Sequence, residues 1–279
     1  MTAFKAHYPE RIVCLTEETT ELLYLLGEQD RIVGISGFTV RPAQARREEP
    51  KVSAFTSARY ERILELEPDL VIGFSDLQAD IAAELIRRGV NVLVMNQRSI
   101  AQILDMILTL SAMVGAAERG QALVARYAAR MSAIEAKTNR CLQAHPQRAR
   151  PRVYFEEWDE PMISAIRWVS ELIDVAGGQD CFAELGRMSL GKDRIIADPQ
   201  RVIDANPQII IGSWCGKKFR PDKVAGRAGW DRIDAVKQGR LHEIKSANIL
   251  QPGPAALSDG LEHLHRIMMD FYDAPSSRT

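Results

Sequence analysis

The chain has 279 residues, of which 46% are hydrophobic, and this excludes a disordered chain and predicts one large domain or two lobes. Its 36 Lys and Arg residues nearly balance 37 Asp and Glu residues. A formal net charge of −1 excludes the overall basic field that nonspecific binding to nucleic acid or anionic lipid requires. The longest apolar runs are strand-sized, which predicts no membrane insertion.

Strand-like and helix-like patterns alternate along the chain. The predicted strands are 11–15, 31–35, 70–74, 90–95, 152–155, 209–213 and 240–244. The predicted helices include 17–26, 60–66, 79–88, 100–114, 168–175, 201–205 and 255–272. This alternation is typical of βαβ units, so we predict an α/β fold whose mainly parallel sheets are covered on both faces.

One helical segment, 116–142, is longer than a crossover helix needs to be, at roughly 40 Å. An internal similarity relates 62–73 to 201–212, where a short helix is followed by a proline and then by a buried strand that ends in glycine. We therefore predict two Rossmann-like lobes joined by one long α-helix. The predicted boundaries are 1–114 for the N-terminal lobe, 115–146 for the helix and 147–279 for the C-terminal lobe.

Common catalytic and phosphate-binding motifs are absent from the sequence. It contains no G-x-G-x-x-G after a strand, no P-loop and no G-x-S-x-G elbow. The five histidines are sparse, and His263 and His265 are two residues apart on a predicted helix, where they cannot chelate one metal ion together. The sequence therefore predicts neither catalytic residues nor a metal site built by the protein.

Aromatic and polar residues follow the predicted strands at their carboxyl ends, where ligands bind open α/β sheets. In the first lobe these candidates are Phe38, Phe74 and Met95, together with Phe55 in a loop between Val52 and the predicted helix that begins at Tyr60. In the second lobe they are Glu157, Trp158, Trp214, Cys215, Lys217, Ile249 and Gln251. Any single aromatic residue could instead belong to the core, but their recurrence at strand ends in both lobes favours a ligand pocket.

Several segments resemble the substrate-binding proteins of cobalamin and iron-siderophore ABC importers, the class III periplasmic-binding-protein family. The matching segments are 11–22, 33–36, 50–53, 61–74 and 171–178. Residues 52–55 and 71–74 are most similar to the cobalamin-binding member. The resemblance implies two lobes joined by a long helix, with Phe38, Phe55 and Phe74 on one wall of a cleft. It also implies that Trp158, Trp168 and Trp214 line the other wall.

The function that this resemblance implies is non-catalytic binding of a corrinoid, cobalamin or a precursor, between the lobes. The charged segments 156–159 and 217–220 leave open a ferric siderophore or a haem-like chelate as the ligand. The residues also leave open a ligand-dependent regulator, and a cytoplasmic tetrapyrrole-modifying enzyme that uses Glu156, Glu157 or His242 as an acid or base.

Importer relatives present an acidic residue on each lobe to the membrane subunits of the transporter, which are the expected partners. Asp76, Asp80 and Glu84 could serve on the first lobe, whereas basic residues at 217–220 with only Asp222 acidic would oppose such docking on the second. The first residues lack the pattern of a secretory signal. We therefore expect a cytoplasmic protein as encoded, or a periplasmic one if a leader was removed.

Overall fold

A computed structural model of the chain describes residues 7–144 and 149–274, which divide into two compact units. The N-terminal unit extends to Arg126 except for Arg98–Ile100, which belongs to the C-terminal unit that begins at Tyr127. The predicted end of the long helix at 146, and most of the N-terminal stretch considered as a signal, lie outside the described residues. No helix in the described segments combines the length and apolar character needed to cross a membrane.

The N-terminal unit is built on a five-stranded sheet in the order β3-β2-β1-β4-β5, in which every neighbouring pair is parallel. The strands are β1 (Ile12–Cys14), β2 (Ile32–Ser36), β3 (Lys51–Ser53), β4 (Leu70–Phe74) and β5 (Val92–Met95). The helices are α1 (Glu17–Leu25), α2 (Ala43–Glu48), α3 (Tyr60–Glu65), α4 (Ala79–Arg87) and α5 (Ile100–Met113).

The core of this unit joins the central strands to their crossover helices. Val13 of β1, Val52 of β3 and Val71 of β4 pack with Ile63 of α3 and Leu85 of α4. All five residues of β4 are buried, which explains its unbroken apolar sequence, since a central parallel strand is covered on both faces. The strand ends therefore rest on a packed layer that holds the loops after them in place.

The long helix α6 (Ala117–Ala144) has 28 residues and so extends about 42 Å. It contains neither Pro nor β-branched runs and is rich in Ala and Arg, which are strong helix formers. The division between the two units falls inside this helix, after Arg126, whereas the sequence analysis treated the helix as a separate connector.

The C-terminal unit has a second sheet in the order β10-β9-β6-β7, with β8 also paired to β6. Its strands are β6 (Arg152–Asp159), β7 (Met162–Ser164), β8 (Gln179–Asp180), β9 (Ile209–Gly212) and β10 (Leu241–Glu243). Its helices are α7 (Arg167–Ala176), α8 (Gln200–Ala205), α9 (Pro221–Ala225), α10 (Asp234–Lys237), α11 (Ser246–Ile249) and α12 (Leu261–Asp273). Only the β6–β7 pair is antiparallel among the described strands of this sheet.

Aromatic side chains fill the core of the C-terminal unit. The ring of Tyr154 meets those of Phe182 and Trp230 edge to face, with centroids 5.7 and 6.0 Å apart. At the end of β9, Gly212 leaves room for the ring of Phe219, which a Cβ atom at this position would overlap. The glycine that ends this strand thus permits an aromatic side chain to pack directly against the backbone.

The predicted α/β class with mainly parallel sheets and one long helix is confirmed. Strand β6 extends to Asp159, four residues past its predicted end, because the apolar pattern stops at Phe155 although the backbone pairing continues. The sequence analysis missed β3, β7 and β8, which have three, three and two residues and are too short for a periodic pattern.

Candidate ligand-binding edges of the two sheets

Because all five strands of the N-terminal sheet are parallel, their carboxyl ends lie along one edge. We call this the first sheet edge; it carries the residues that follow β1 to β5. Phe38, after β2, is 63% exposed, whereas Phe55 and Met95 are half-buried. Phe74, the last residue of β4, is buried. The first sheet edge therefore offers one open aromatic ring and several partly covered apolar side chains.

The buried side chain of Gln78 organises this edge. Its Oε1 accepts a hydrogen bond from the Phe74 amide at 2.8 Å, and its Nε2 donates to the Phe55 carbonyl at 2.9 Å and to the Leu15 carbonyl at 3.4 Å. A turn at Ser75, with φ of 60°, leads into the short 3₁₀ helix that carries Gln78. One amide thus fixes the chain at the ends of three different strands.

Two buried carboxyl groups follow β1 at the same edge. Glu17 accepts a hydrogen bond from the Val40 amide at 3.0 Å, and Glu18 accepts one from the Thr16 hydroxyl at 2.7 Å. Burial raises the pKa of Glu17 to about 8 and that of Glu18 to about 7, and like-charge repulsion from Glu21 adds to both shifts. These groups therefore change charge near neutral pH.

The carboxyl ends of β6 and β9 form part of the second sheet edge, which we define by residues 156–159 and 213–217. Glu156 is fully buried there, and each of its oxygens has two donors. It accepts from the Tyr154 hydroxyl at 2.8 Å, the Trp214 indole at 3.0 Å and both terminal nitrogens of Arg227 at 2.6 and 3.0 Å. The carboxylate is thus held as a structural acceptor, not as an available acid or base.

Lys217 joins the polar and aromatic parts of the second sheet edge. Its ammonium lies 4.0 Å from the ring centroid of Trp158 and 5.2 Å from that of Trp214, and it also forms an ion pair with Asp159. Burial opposes ionisation of Asp159, but hydrogen bonds from Lys217 and Lys223 outweigh it and lower its pKa to about 2. The ion pairs compensate a buried carboxylate and place a cation on the Trp158 ring.

The remaining candidates of the C-terminal unit divide into buried and accessible side chains. Glu157 forms a bidentate ion pair with the buried Arg194, at 2.7 and 3.1 Å. Trp168 is buried in α7 and donates to the carbonyl of Ile249, which is also buried, at 2.9 Å. Cys215 is exposed and Gln251 is half-buried.

The structure brings Trp158, Trp214 and Lys217 into one group. It places four predicted ligand residues in packing positions instead of leaving their side chains open: Phe74, Trp168, Trp214 and Ile249, exposed by 5%, 3%, 4% and 0%. Apolar burial and a satisfied indole N–H explain the two tryptophan positions. Ligand contact by any of the twelve candidates stays a prediction.

Sequence reasoning missed Gln78, Arg227 and the burial of Glu17 and Glu18. No local pattern marks the first two, because their partners are distant in the chain. The position of the two glutamates directly after an apolar strand was the available signal. In the segments that the structure describes, no group of three or more His, Cys, Asp or Glu side chains could hold a metal ion.

Comparison of the whole chain with known proteins finds a matching family model and several relatives. A family model described as "Periplasmic binding protein" matches residues 12–247. A vitamin B12-binding protein of Vibrio parahaemolyticus is 27% identical over 260 residues, which cover 91% of this chain and 87% of the relative. An uncharacterized ABC transporter substrate-binding lipoprotein of Bacillus subtilis is 24% identical over 92% of this chain and 79% of its own.

A solved structure agrees with the described fold. The periplasmic vitamin B12-binding protein of Vibrio cholerae matches with a TM-score of 0.74 and 21% identity, over 95% of this chain and 99% of its own. The two proteins thus share a fold.

Proposed function

Since the chain belongs to the periplasmic binding protein family, we propose that it is a non-catalytic binding protein for a corrinoid, cobalamin or a precursor. The observation that carries this proposal is the similarity to relatives named for vitamin B12 or cobalamin binding along most of the chain. They include the Vibrio parahaemolyticus protein and a cobalamin-binding protein of Halobacterium salinarum, which is 24% identical over 88% of this chain.

The aromatic residues of the sheet edges support a planar macrocyclic ligand. Phe38 is open at the first sheet edge, and Trp158 at the second is the least buried of the four tryptophans, all of which lie in the described segments. A flat ring face offers a large contact area without matching each polar group of a ligand separately. Aromatic side chains of this kind suit a corrin ring better than they suit a small polar solute.

The geometry does not favour an enzyme that uses Glu156 or Glu157. Both carboxylates are held in bidentate ion pairs, the first by Arg227 and the second by Arg194. A general acid or base needs a titratable group that can reach a substrate proton. These two groups instead fix β6 to its neighbours, which is a structural role.

We further propose the membrane subunits of an ABC transporter as partners. Among the acidic residues considered for docking, Glu84 is paired with Arg87 and Arg88, while Asp222 is paired with Arg220. These exposed ion pairs are weak and would exchange readily for arginines of a partner. The compartment in which this would occur stays a prediction.

Binding is tested by titrating the purified chain with cyanocobalamin and with cobinamide while recording tryptophan fluorescence and corrin absorbance. We expect saturable quenching and a matching absorbance change. Phe38→Ala should weaken binding about tenfold, because it removes an exposed aromatic contact, whereas Ile86→Ala, a truncation of another exposed apolar residue, should not. Binding of haem or a ferric hydroxamate, with no response to either corrinoid, would reassign the ligand.

A further inference from the structure

Four buried polar atoms near the carboxyl ends of β1, β2 and β3 have no hydrogen-bond partner among the described residues. They are Glu17 Oε1, Glu18 Oε2, Thr39 Oγ1 and Ser53 Oγ. Their residues follow β1 and β2 or end β3, so all four lie at the first sheet edge. Folded proteins pair the great majority of buried polar groups, and a concentration of unpaired ones at a ligand-binding edge indicates that a ligand supplies the partners.

The loop after β2 connects Glu17, Thr39 and Ser53, and Glu18 follows Glu17 in the chain; we call these four residues the acceptor cluster. The amide of Val40, next to Thr39, donates to Glu17 at 3.0 Å. At the other end of the loop, the amide of Gly37 donates to the carbonyl of Ser53 at 2.7 Å. The carboxyl groups and the hydroxyls are therefore attached to one short loop and its neighbours, not scattered through the core.

Charge in the acceptor cluster is not neutralised by ion pairs within the protein. Arg41 lies nearby, but its guanidinium is hydrogen-bonded to Glu21 at 3.0 Å. Among the described residues, no Lys or Arg forms an ion pair with Glu17 or Glu18. The Cys14 thiol adds no charge to the cluster at neutral pH, since burial raises its pKa to about 12. Two carboxyl groups thus present acceptor oxygens that no ion pair occupies.

We propose that the acceptor cluster binds amide groups on the rim of the ligand, and so selects a corrinoid whose side chains end in carboxamides over one whose side chains end in carboxylates. This inference rests on the proposed function and specifies the chemistry of its ligand.

The complementarity follows from the hydrogen-bonding capacity of each group. A primary amide has two N–H donors for the carboxylate oxygens of Glu17 and Glu18 and a carbonyl acceptor for the hydroxyls of Thr39 and Ser53. Hydrogen bonds to an ionised carboxylate are among the stronger ones. A ligand carboxylate has no donor when ionised, and both glutamates repel it once the pH exceeds their raised pKa values, which is the basis of the selection.

Protonation should modulate this selection. Burial raises the pKa of Glu17 to about 8 and that of Glu18 to about 7. Glu21 and Arg41 are the other charged groups that face Glu17. Amide donors stabilise the ionised carboxylates, so binding of an amidated corrinoid should release protons. Its affinity should therefore rise as the pH increases through this range.

The test compares cobinamide, which carries carboxamides, with cobyrinic acid, which has the same macrocycle and carboxylates. Both are titrated into the wild type, Glu17→Gln, Glu18→Gln and the control Glu65→Gln, which removes an exposed carboxylate of α3. We expect the wild type and the control to prefer cobinamide at least about tenfold, as charged hydrogen bonds allow. Each cluster variant should reduce that preference by improving cobyrinic acid binding, because a glutamine amide can donate to a carboxylate.

The outcomes separate this inference from the proposed function. Equal affinity of the wild type for both corrinoids, or an unchanged preference in both cluster variants, overturns the acceptor cluster while corrinoid binding stands. Failure of both corrinoids to bind the wild type overturns the proposed function and this inference with it. Thermal unfolding of each variant verifies its fold, and equal affinity of the wild type for both corrinoids overturns the inference even if a variant does not fold.

Discussion

Gln78 donates a hydrogen bond from Nε2 to the carbonyl oxygen of Phe55 at 2.9 Å, and thereby links the ends of two strands that are not neighbours. Phe55 follows β3 and Phe74 ends β4, with β2 and β1 between these strands in the sheet. The same amide accepts from the Phe74 backbone. The spacing of two candidate ligand residues is therefore set by a side chain that the proposed ligand need not contact.

Replacing Gln78 by Ala should lower the free energy of unfolding by about 1–3 kcal/mol, because it leaves buried backbone groups unpaired. It should also weaken corrinoid binding by loosening the Phe55 loop. Urea denaturation and corrinoid titration measure the two effects. Gln121→Ala, at an exposed position of α6, serves as the control. Equal stability of the Gln78 variant and the wild type would contradict the linking role.

Lys217→Ala should increase the access of a small quencher to Trp158, because the ammonium that lies 4.0 Å from its ring is removed. The loss of the cation–π contact and of the ion pair with Asp159, which keeps Lys223 as a partner, should lower the free energy of unfolding by roughly 1–2 kcal/mol. Acrylamide quenching reports on Trp158 selectively, since the other three tryptophans are buried. The neighbouring Lys218→Ala should leave quenching unchanged, and a similar increase in both variants would argue against the specific contact.

A methyl group at Gly212 should disrupt the core of the C-terminal unit. Gly212→Ala would overlap the ring of Phe219, which packs edge to face against Trp214 with centroids 5.0 Å apart. Overpacking of this kind lowers the free energy of unfolding by about 1–3 kcal/mol. The matched Gly191→Ala places its Cβ 3.5 Å from Ile163, an ordinary contact, and should be neutral. If Gly212→Ala and the wild type had the same denaturation midpoint, the Phe219 ring would move aside without loss of stability.

Stability should decrease as the pH rises from 4.5 to about 8. Burial raises the pKa of Glu17 from 4.5 to about 8 and that of Glu18 from 4.5 to about 7. Between pH 4.5 and each raised pKa, the folded chain holds a proton that the unfolded chain has lost. The stability that each protonated glutamate contributes is therefore complete below pH 4.5 and is lost as the pH rises through its raised pKa. The pKa of Asp180, which burial raises to about 6, acts in the same direction.

Urea denaturation between about pH 5 and about pH 9 measures this slope in the wild type and in Glu17→Gln. The variant should show a smaller decline, because its amide does not titrate, whereas Glu65→Gln should retain the wild-type slope. Burial lowers the pKa of His242 and His265 from 6.5, which opposes the decline on the acidic side equally in all three proteins. The same decline in all three would place the titrating groups elsewhere.

Long elements with a sustained pattern were predictable. Strand β4 begins and ends at the predicted residues, and the predicted helix 116–142 differs from α6 by one or two residues at each end. Strand β3 was missed because its three residues include an exposed Lys51, so no run of apolar residues distinguishes it from a loop. It is a strand because it pairs with β2, a contact that the local sequence does not show.

The candidate site was predictable only as a set of positions. The rule that ligands bind at carboxyl ends of strands selected Phe38 and Trp158 as strand-end residues, whereas Phe55 was placed in a loop because β3 was not predicted. It did not separate the open ring of Phe38 from the packed ring of Trp214, since that difference depends on Phe219 and on the buried Glu156. Aromatic residues serve cores and binding surfaces alike, and composition does not distinguish the two.

The amino-acid sequence alone determined the α/β class, the long helix and the family resemblance, because hydrophobic periodicity and motif order are local properties of the chain. The tertiary structure alone decided which strand-end side chains are buried, which carboxyl oxygens of Glu17 and Glu18 lack a partner among the described residues, and that Gln78 joins the ends of β1, β3 and β4. These features arise from contacts between residues far apart in the chain, where burial and hydrogen bonding depend on distances that no local pattern encodes.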